Sequence, residues 1–130
     1  MSRRTASSGS PLEPVIGMSR AVRIGPYVSV AGTAPIAPDG SSACVGDAAG
    51  QMRRCLDIVE GALTTLGVSM DDVIRTRILL TDIADWQAVT AVHGERFGTI
   101  RPACTVMAVV GFVRPEWLVE LEVDAVAPDA

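Results

Sequence analysis

The chain contains no lysine: all eleven basic residues among its 130 are arginine. That absence excludes a Schiff-base lysine and the lysine of a phosphate-binding loop. Histidine is scarce too, and the single one, His93, rules out a multi-histidine metal centre. Three cysteines (Cys44, Cys55 and Cys104) form no CxxC pair and are odd in number. They indicate neither a zinc site nor a disulfide framework, so a reducing cytoplasm is the expected compartment. No apolar run reaches membrane-spanning length, and residues 1–10 lack the apolar stretch of a signal peptide. With a net charge of −4 and no basic stripe, nucleic acid is not expected as the partner, because phosphate neutralisation supplies most non-specific affinity. Aromatic residues make up only 4%, so the core has to come from Val, Ala, Leu and Ile, as in a branched-residue sheet overlaid by helices.

What is present suits one globular domain: 48% of residues are hydrophobic and 20% charged. Residues 1–13, rich in serine and arginine, read as a disordered leader to a domain spanning 14–130. Ala21–Ile24 and residues 28–31, separated by Gly25-Pro26, read as a hairpin. Residues 32–46 carry Pro35, Pro38 and Asp39-Gly40, and read as loop or a short irregular strand. Asp47 is a plausible N-cap for a helix in which Met52, Cys55, Leu56, Val59, Leu63 and Leu66 recur at spacings of three and four. Gly67 stops it. Val73–Leu80 is strand-like, and Asp82 or Asp85 can cap a second helix ending at Phe97. Residues 105–110 and 118–126 complete the pattern. The order β-β-α-β-α-β-β predicts an α+β fold with two helices on one face of a mixed sheet.

The last strand alternates, with Val119, Leu121, Val123 and Ala125 on one side and Glu120, Glu122 and Asp124 on the other. Arg75 and Arg77 likewise share one face, opposite Ile74, Thr76 and Ile78. The charged face also carries Met107 and Val109, too apolar for open water and too charged for a private core. A subunit interface is its natural setting.

Several residues can do chemistry. Glu120, Glu122 or Asp124 can act as a general acid or base, or can form a ladder of ion pairs. His93 shares a helix face with Trp86, Val89 and Phe97, which suits a hydrogen-bonded packing histidine better than a ligand. Cys104 with His93 is a weak thiolate pair, since buried cysteine is usually inert packing. Arg101, just before Pro102, can fork onto an anion or simply position its loop. These residues alone specify no reaction.

Four stretches together resemble the Rid family (reactive intermediate deaminases, or L-PSP endoribonuclease-like proteins). They are Gly17-Met-Ser-Arg-Ala-Val-Arg-Ile-Gly25, Val30-Ala-Gly-Thr-Ala-Pro35, Ile100-Arg-Pro-Ala-Cys-Thr105 and Leu118-Val-Glu-Leu-Glu-Val-Asp-Ala125. The resemblance implies a chorismate-mutase-like fold, a homotrimeric barrel and small-molecule clefts between subunits, with no metal or organic cofactor. It also implies hydrolysis of imines and enamines such as 2-aminoacrylate to carbonyl compounds and ammonia. Carried over by position, Glu120 matches the family's water-placing glutamate and Gly32 its glycine. The carboxylate-clamping arginine falls on Cys104, a serine on Ala31, a tyrosine on Met18 and an asparagine on Thr90. The chain thus resembles a subgroup lacking the clamp, for which 2-aminoacrylate deamination is not the expected activity. Two readings follow. In one, an imine or enamine hydrolase uses Glu120 to place water, with Gly32, Thr105, Cys104, Met18, Thr90 and Arg101 around the substrate. In the other, a non-catalytic trimer binds a metabolite or partner in the same clefts. Ribonuclease action is disfavoured by the acidity and the single histidine.

Overall fold

Short runs of branched residues give strands β1 (Arg3–Ala6), β2 (Ala21–Ile24), β3 (Tyr27–Thr33), β4 (Val73–Leu80), β5 (Ala103–Ala108) and β6 (Val119–Val126). In the computed structural model, which describes residues 2–128, these form one sheet in the order β1-β2-β3-β6-β4-β5. Only the β4–β5 pair is parallel; the helix α3 (Trp86–Phe97) makes the crossover between them. The longer helix α2 (Ala48–Thr65) and α3 lie on one face, and a short α1 (Leu12–Ile16) precedes β2. The β-β-α-β-α-β-β succession and the mixed sheet with helices on one side are therefore present, with one strand and one short helix added in front.

Between sheet and helices lies a single core cluster. Met52, Leu56, Val59 and Leu63 of α2 meet Ile78 and Leu80 of β4 and Val119, Leu121 and Val123 of β6; Val89 and Phe97 of α3 close it. Each such side chain contributes about 1.5–3 kcal/mol by leaving water. The N-cap of α2 forms as its sequence suggests, the Asp47 carboxylate accepting from the Gly50 N–H at 3.0 Å. A side chain at Gly50 would crowd this cap, since a Cβ would sit 2.5 Å from Asp47 Oδ2.

The first thirteen residues differ from the disordered leader expected of them. Arg3–Ala6 pair antiparallel with β2, Ala6 is buried, and the α1 residue Glu13 is buried as well. Its carboxylate accepts from Ser7 Oγ at 2.7 Å, Ser8 N at 3.0 Å and Ser8 Oγ at 2.5 Å. Burial raises the Glu13 pKa, and the Ser8 and Ser7 hydrogen bonds outweigh it, leaving the carboxyl below its ordinary value. Serines that look like linker are thus ligands for a buried acid. Met1, Asp129 and Ala130 lie outside the described residues.

Two smaller differences come from strand irregularities. A register shift between Val73 and Arg75 turns Val73 into the core and leaves Ile74 half exposed, so Ile74 does not share the face of Thr76 and Ile78. The fifth strand begins two residues earlier than its apolar pattern suggests, because pairing to β4 runs from Ala103 to Ala108.

Candidate functional site

A second register shift, in β3 between Val30 and Thr33, takes Ala31 and Gly32 out of the regular β3–β6 ladder. Gly32 then lies beside Glu120: a Cβ at position 32 would be 3.5 Å from Glu120 Oε1. The missing side chain keeps that space next to the carboxylate open. Arg20 closes it from behind, its Nη1 donating to the Gly32 carbonyl at 2.7 Å and more weakly to Thr33 Oγ1 at 3.4 Å. The Ala31 N–H donates back to the Arg20 carbonyl at 2.9 Å. Among the described residues, Arg20 Nε is a buried donor without a partner. The turn that delivers Arg20 starts at Gly17 (φ +81°) and carries half-buried Met18, whose N–H donates to the Glu13 carbonyl at 2.9 Å.

Glu120 is half-buried on β6, and that strand's start is fixed by Gln51, a fully buried residue of α2. Gln51 Oε1 accepts from the Leu118 N–H at 2.7 Å, and its Nε2 donates to the Glu116 carbonyl at 3.0 Å. Burial pushes the Glu120 pKa up; nearby Arg20 pulls it down, and Glu122 adds to the rise. The result is a carboxyl that holds its proton to higher pH than an exposed glutamate does. Glu122 and Asp124 have different company. Both approach Arg77 at 3.5 Å, and Asp124 also accepts from Ser29 Oγ at 3.1 Å. Of the three acids on this face, two form the ion-pair ladder and Glu120 stands by Gly32.

The other expected site residues lie elsewhere. Register places Thr105 opposite Arg77, on the open face of the sheet, whereas Cys104 is opposite Thr76, on the helix-covered face. Cys104 is exposed there because β5 is the edge strand. Thr76 Oγ1 is 2.8 Å from His93 Nε2, and the His93 ring sits 4.7 Å from that of Phe97. Burial lowers the His93 pKa, as befits a packing histidine held neutral. Among the described residues no hydrogen bond links Cys104 to His93, so the thiolate pair is not formed. Thr90 is half-buried on α3, its hydroxyl returned to the Trp86 carbonyl at 2.7 Å. Arg101 is exposed in the left-handed region (φ +56°) and anchored by its N–H to the Phe97 carbonyl at 2.8 Å.

Within one chain, therefore, Met18, Arg20, Gly32 and Glu120 belong to the β2–β3–β6 side, and Thr90, Arg101 and Cys104 to the β5–α3 edge. Arg20 and Gln51 escape sequence reasoning. Arg20 lies inside a recognisable stretch, yet nothing in its spacing tells which way the side chain turns. Gln51 sits among apolar helix residues, and a buried amide there is a signal only once the core face is known. Among the described residues no group of three His, Cys, Asp or Glu side chains could hold a metal ion, and no helix is long and apolar enough to cross a membrane.

A sequence model of the family described as Endoribonuclease L-PSP matches residues 9–127. An uncharacterized protein of Streptomyces coelicolor is 37% identical, over 94% of this chain and 90% of its own. The 3-aminoacrylate deaminase RutC of Acinetobacter baylyi is 36% identical, over 85% of each chain. Among solved structures, Rv2704 of Mycobacterium tuberculosis, a member of the YjgF/YER057c/UK114 family, superposes with a TM-score of 0.88 at 44% identity. That match covers 97% of this chain and all of the other. The chorismate-mutase-like α+β fold is shared.

Proposed function

The chain belongs to the endoribonuclease L-PSP family, the Rid proteins, and from that premise we propose that it hydrolyses a small enamine or imine. Supporting this most directly is the raised-pKa carboxyl of Glu120 beside the open space at Gly32. In the neutral form Glu120 can protonate the enamine carbon, giving an iminium. As the carboxylate it then accepts a proton from water adding to the C=N carbon. Collapse of the carbinolamine breaks the C–N bond, and overall one enamine and one water give one carbonyl compound and one ammonia. A carboxyl that changes protonation state easily suits both halves of that sequence. Arg20 fixes the Gly32–Thr33 peptide and so holds the rim of the space in place.

The reaction is proposed to take place in clefts between copies of a cytoplasmic homotrimer. Glu120 and Gly32 lie on the opposite sheet face from Cys104, so one chain cannot bring them around one small molecule. A neighbouring copy's β5–α3 edge, with Cys104, Thr90 and Arg101, would complete the cleft, while Thr105 and Met18 line its approaches. The relative from Acinetobacter baylyi is named for 3-aminoacrylate, and an enamine of that size fits the proposal. Cys104 cannot fork onto a carboxylate as arginine does, which points to a substrate that does not depend on that contact. The same cysteine favours the second reading, a trimer that binds a metabolite without turnover.

Turnover separates the two. An amino-acid oxidase generates a panel of imines in place, and semicarbazide trapping reports how much free imine survives. Faster imine loss that disappears in Glu120→Ala is the expected result. No acceleration across acidic, neutral and bulky imines would leave the binding reading.

A further inference from the structure

We propose that the chain carries a second binding site, for a small organic anion, in an open cavity of about 700 Å3 bounded by α2, residues 7–11 and residues 33–40. Its size is that of a metabolite pocket. Three arginines line it: Arg20, Arg54 and Arg114. Each is oriented by a backbone carbonyl rather than by an acid. Arg20 Nη1 donates to Gly32 O at 2.7 Å, Arg54 Nε to Ile36 O at 2.6 Å and Arg114 Nη1 to Gly40 O at 3.0 Å. Among the described residues none of the three has a carboxylate within ion-pair distance.

Two acids do line the cavity, and both are engaged elsewhere. Asp57 pairs with Arg96, and Asp39 accepts from the Ser41 N–H and hydroxyl. Arg20 Nε is buried and has no partner among the described residues, so this lining arginine keeps a donor unused. Ala34, Ile36, Ile58 and Ala62 supply apolar wall. Cations fixed in advance around a partly apolar cavity recognise a carboxylate or phosphate on a compact organic body. The geometry asks for the anion itself; whether phosphate or carboxylate fits better is what the two probes below distinguish.

Calorimetric titration of the whole chain with inorganic phosphate and, separately, with glutarate tests the site. One of the two should bind one per chain, with Arg54→Gln and Arg114→Gln each weakening it about tenfold or more. Glu120→Ala should leave binding within about twofold. A thermal melt establishes that each arginine variant is folded, and either one alone suffices if the other is not. No heat from either probe up to about 20 mM would overturn the proposal. So would binding that survives both arginine substitutions or that is lost in Glu120→Ala, since the anion would then occupy the Glu120 cleft.

Discussion

The two faces of the sheet are built from the same strands and have opposite chemistry. On β6 the odd-numbered residues Val119, Leu121, Val123 and Ala125 are fully buried under α2 and α3. Their even-numbered neighbours Glu120, Glu122 and Asp124 stand half-exposed on the other side with Arg77, Leu79 and Met107. The first face holds the fold together; the second has charge, apolar surface and the carboxyl with the raised pKa. Stability and the proposed chemistry are thus separated by one residue along a single strand. A face with that composition is the one that the proposed assembly would cover.

Substitutions on alternate positions of β6 break or sharpen that contrast. The largest expected effect is on turnover: Glu120→Ala should slow the imine reaction by about a hundredfold or more while the fold persists. Glu120→Gln should leave stability at pH 7 unchanged or improved. A carboxyl with a raised folded pKa adds to stability at low pH, and that contribution is lost as pH rises through the folded value, so the amide has nothing to lose at pH 7. On the buried face, Leu121→Ala should cost about 2–5 kcal/mol in urea unfolding, from lost burial and a cavity. Equal stability costs at Leu121 and Glu120 would end the distinction between the faces.

Smaller effects come from the edges of the two faces. The neutral His93 ring is held at 2.8 Å from Thr76, with its folded pKa below the ordinary value. Its contribution is complete above the unfolded pKa of about 6.5 and is lost as pH falls from there through the folded value. His93→Gln should therefore flatten the melting temperature against pH below about 6.5. Thr76→Val should cost about 1–2 kcal/mol by leaving the ring nitrogen unpaired. Asp47→Ala, at the N-cap of α2, should cost about 1 kcal/mol in the same unfolding measurement. Arg77→Ala should cost less than about 1 kcal/mol in dilute protein, because its ion pairs are partly solvated, and more where copies assemble.

Periodicity makes much of this architecture legible. The three- and four-residue spacing of α2, its Asp47 cap and the strict alternation of β6 are local signals, and each describes an element that local chemistry determines. The misses are places where tertiary partners decide. Ser7 and Ser8 look like linker until Glu13 is seen between them. Ile74 follows its strand pattern but is displaced by a register shift that no single strand encodes. At the site, Glu120 and Gly32 are each marked by the family pattern. Their adjacency depends on β3–β6 pairing between distant segments, and the side chain of Arg20 is placed by a carbonyl twelve residues away.

The claim that the site is shared between copies is tested most directly by mixing two defective variants. Glu120→Ala disables one side of every cleft, and Cys104→Trp blocks the other. Unfolded together, refolded and assayed for imine loss, the mixture should recover a substantial part of wild-type turnover, because some clefts combine an intact Glu120 side with an intact Cys104 side. A mixture no more active than either variant alone, with mixed assemblies present by native mass spectrometry, would contradict an intersubunit site.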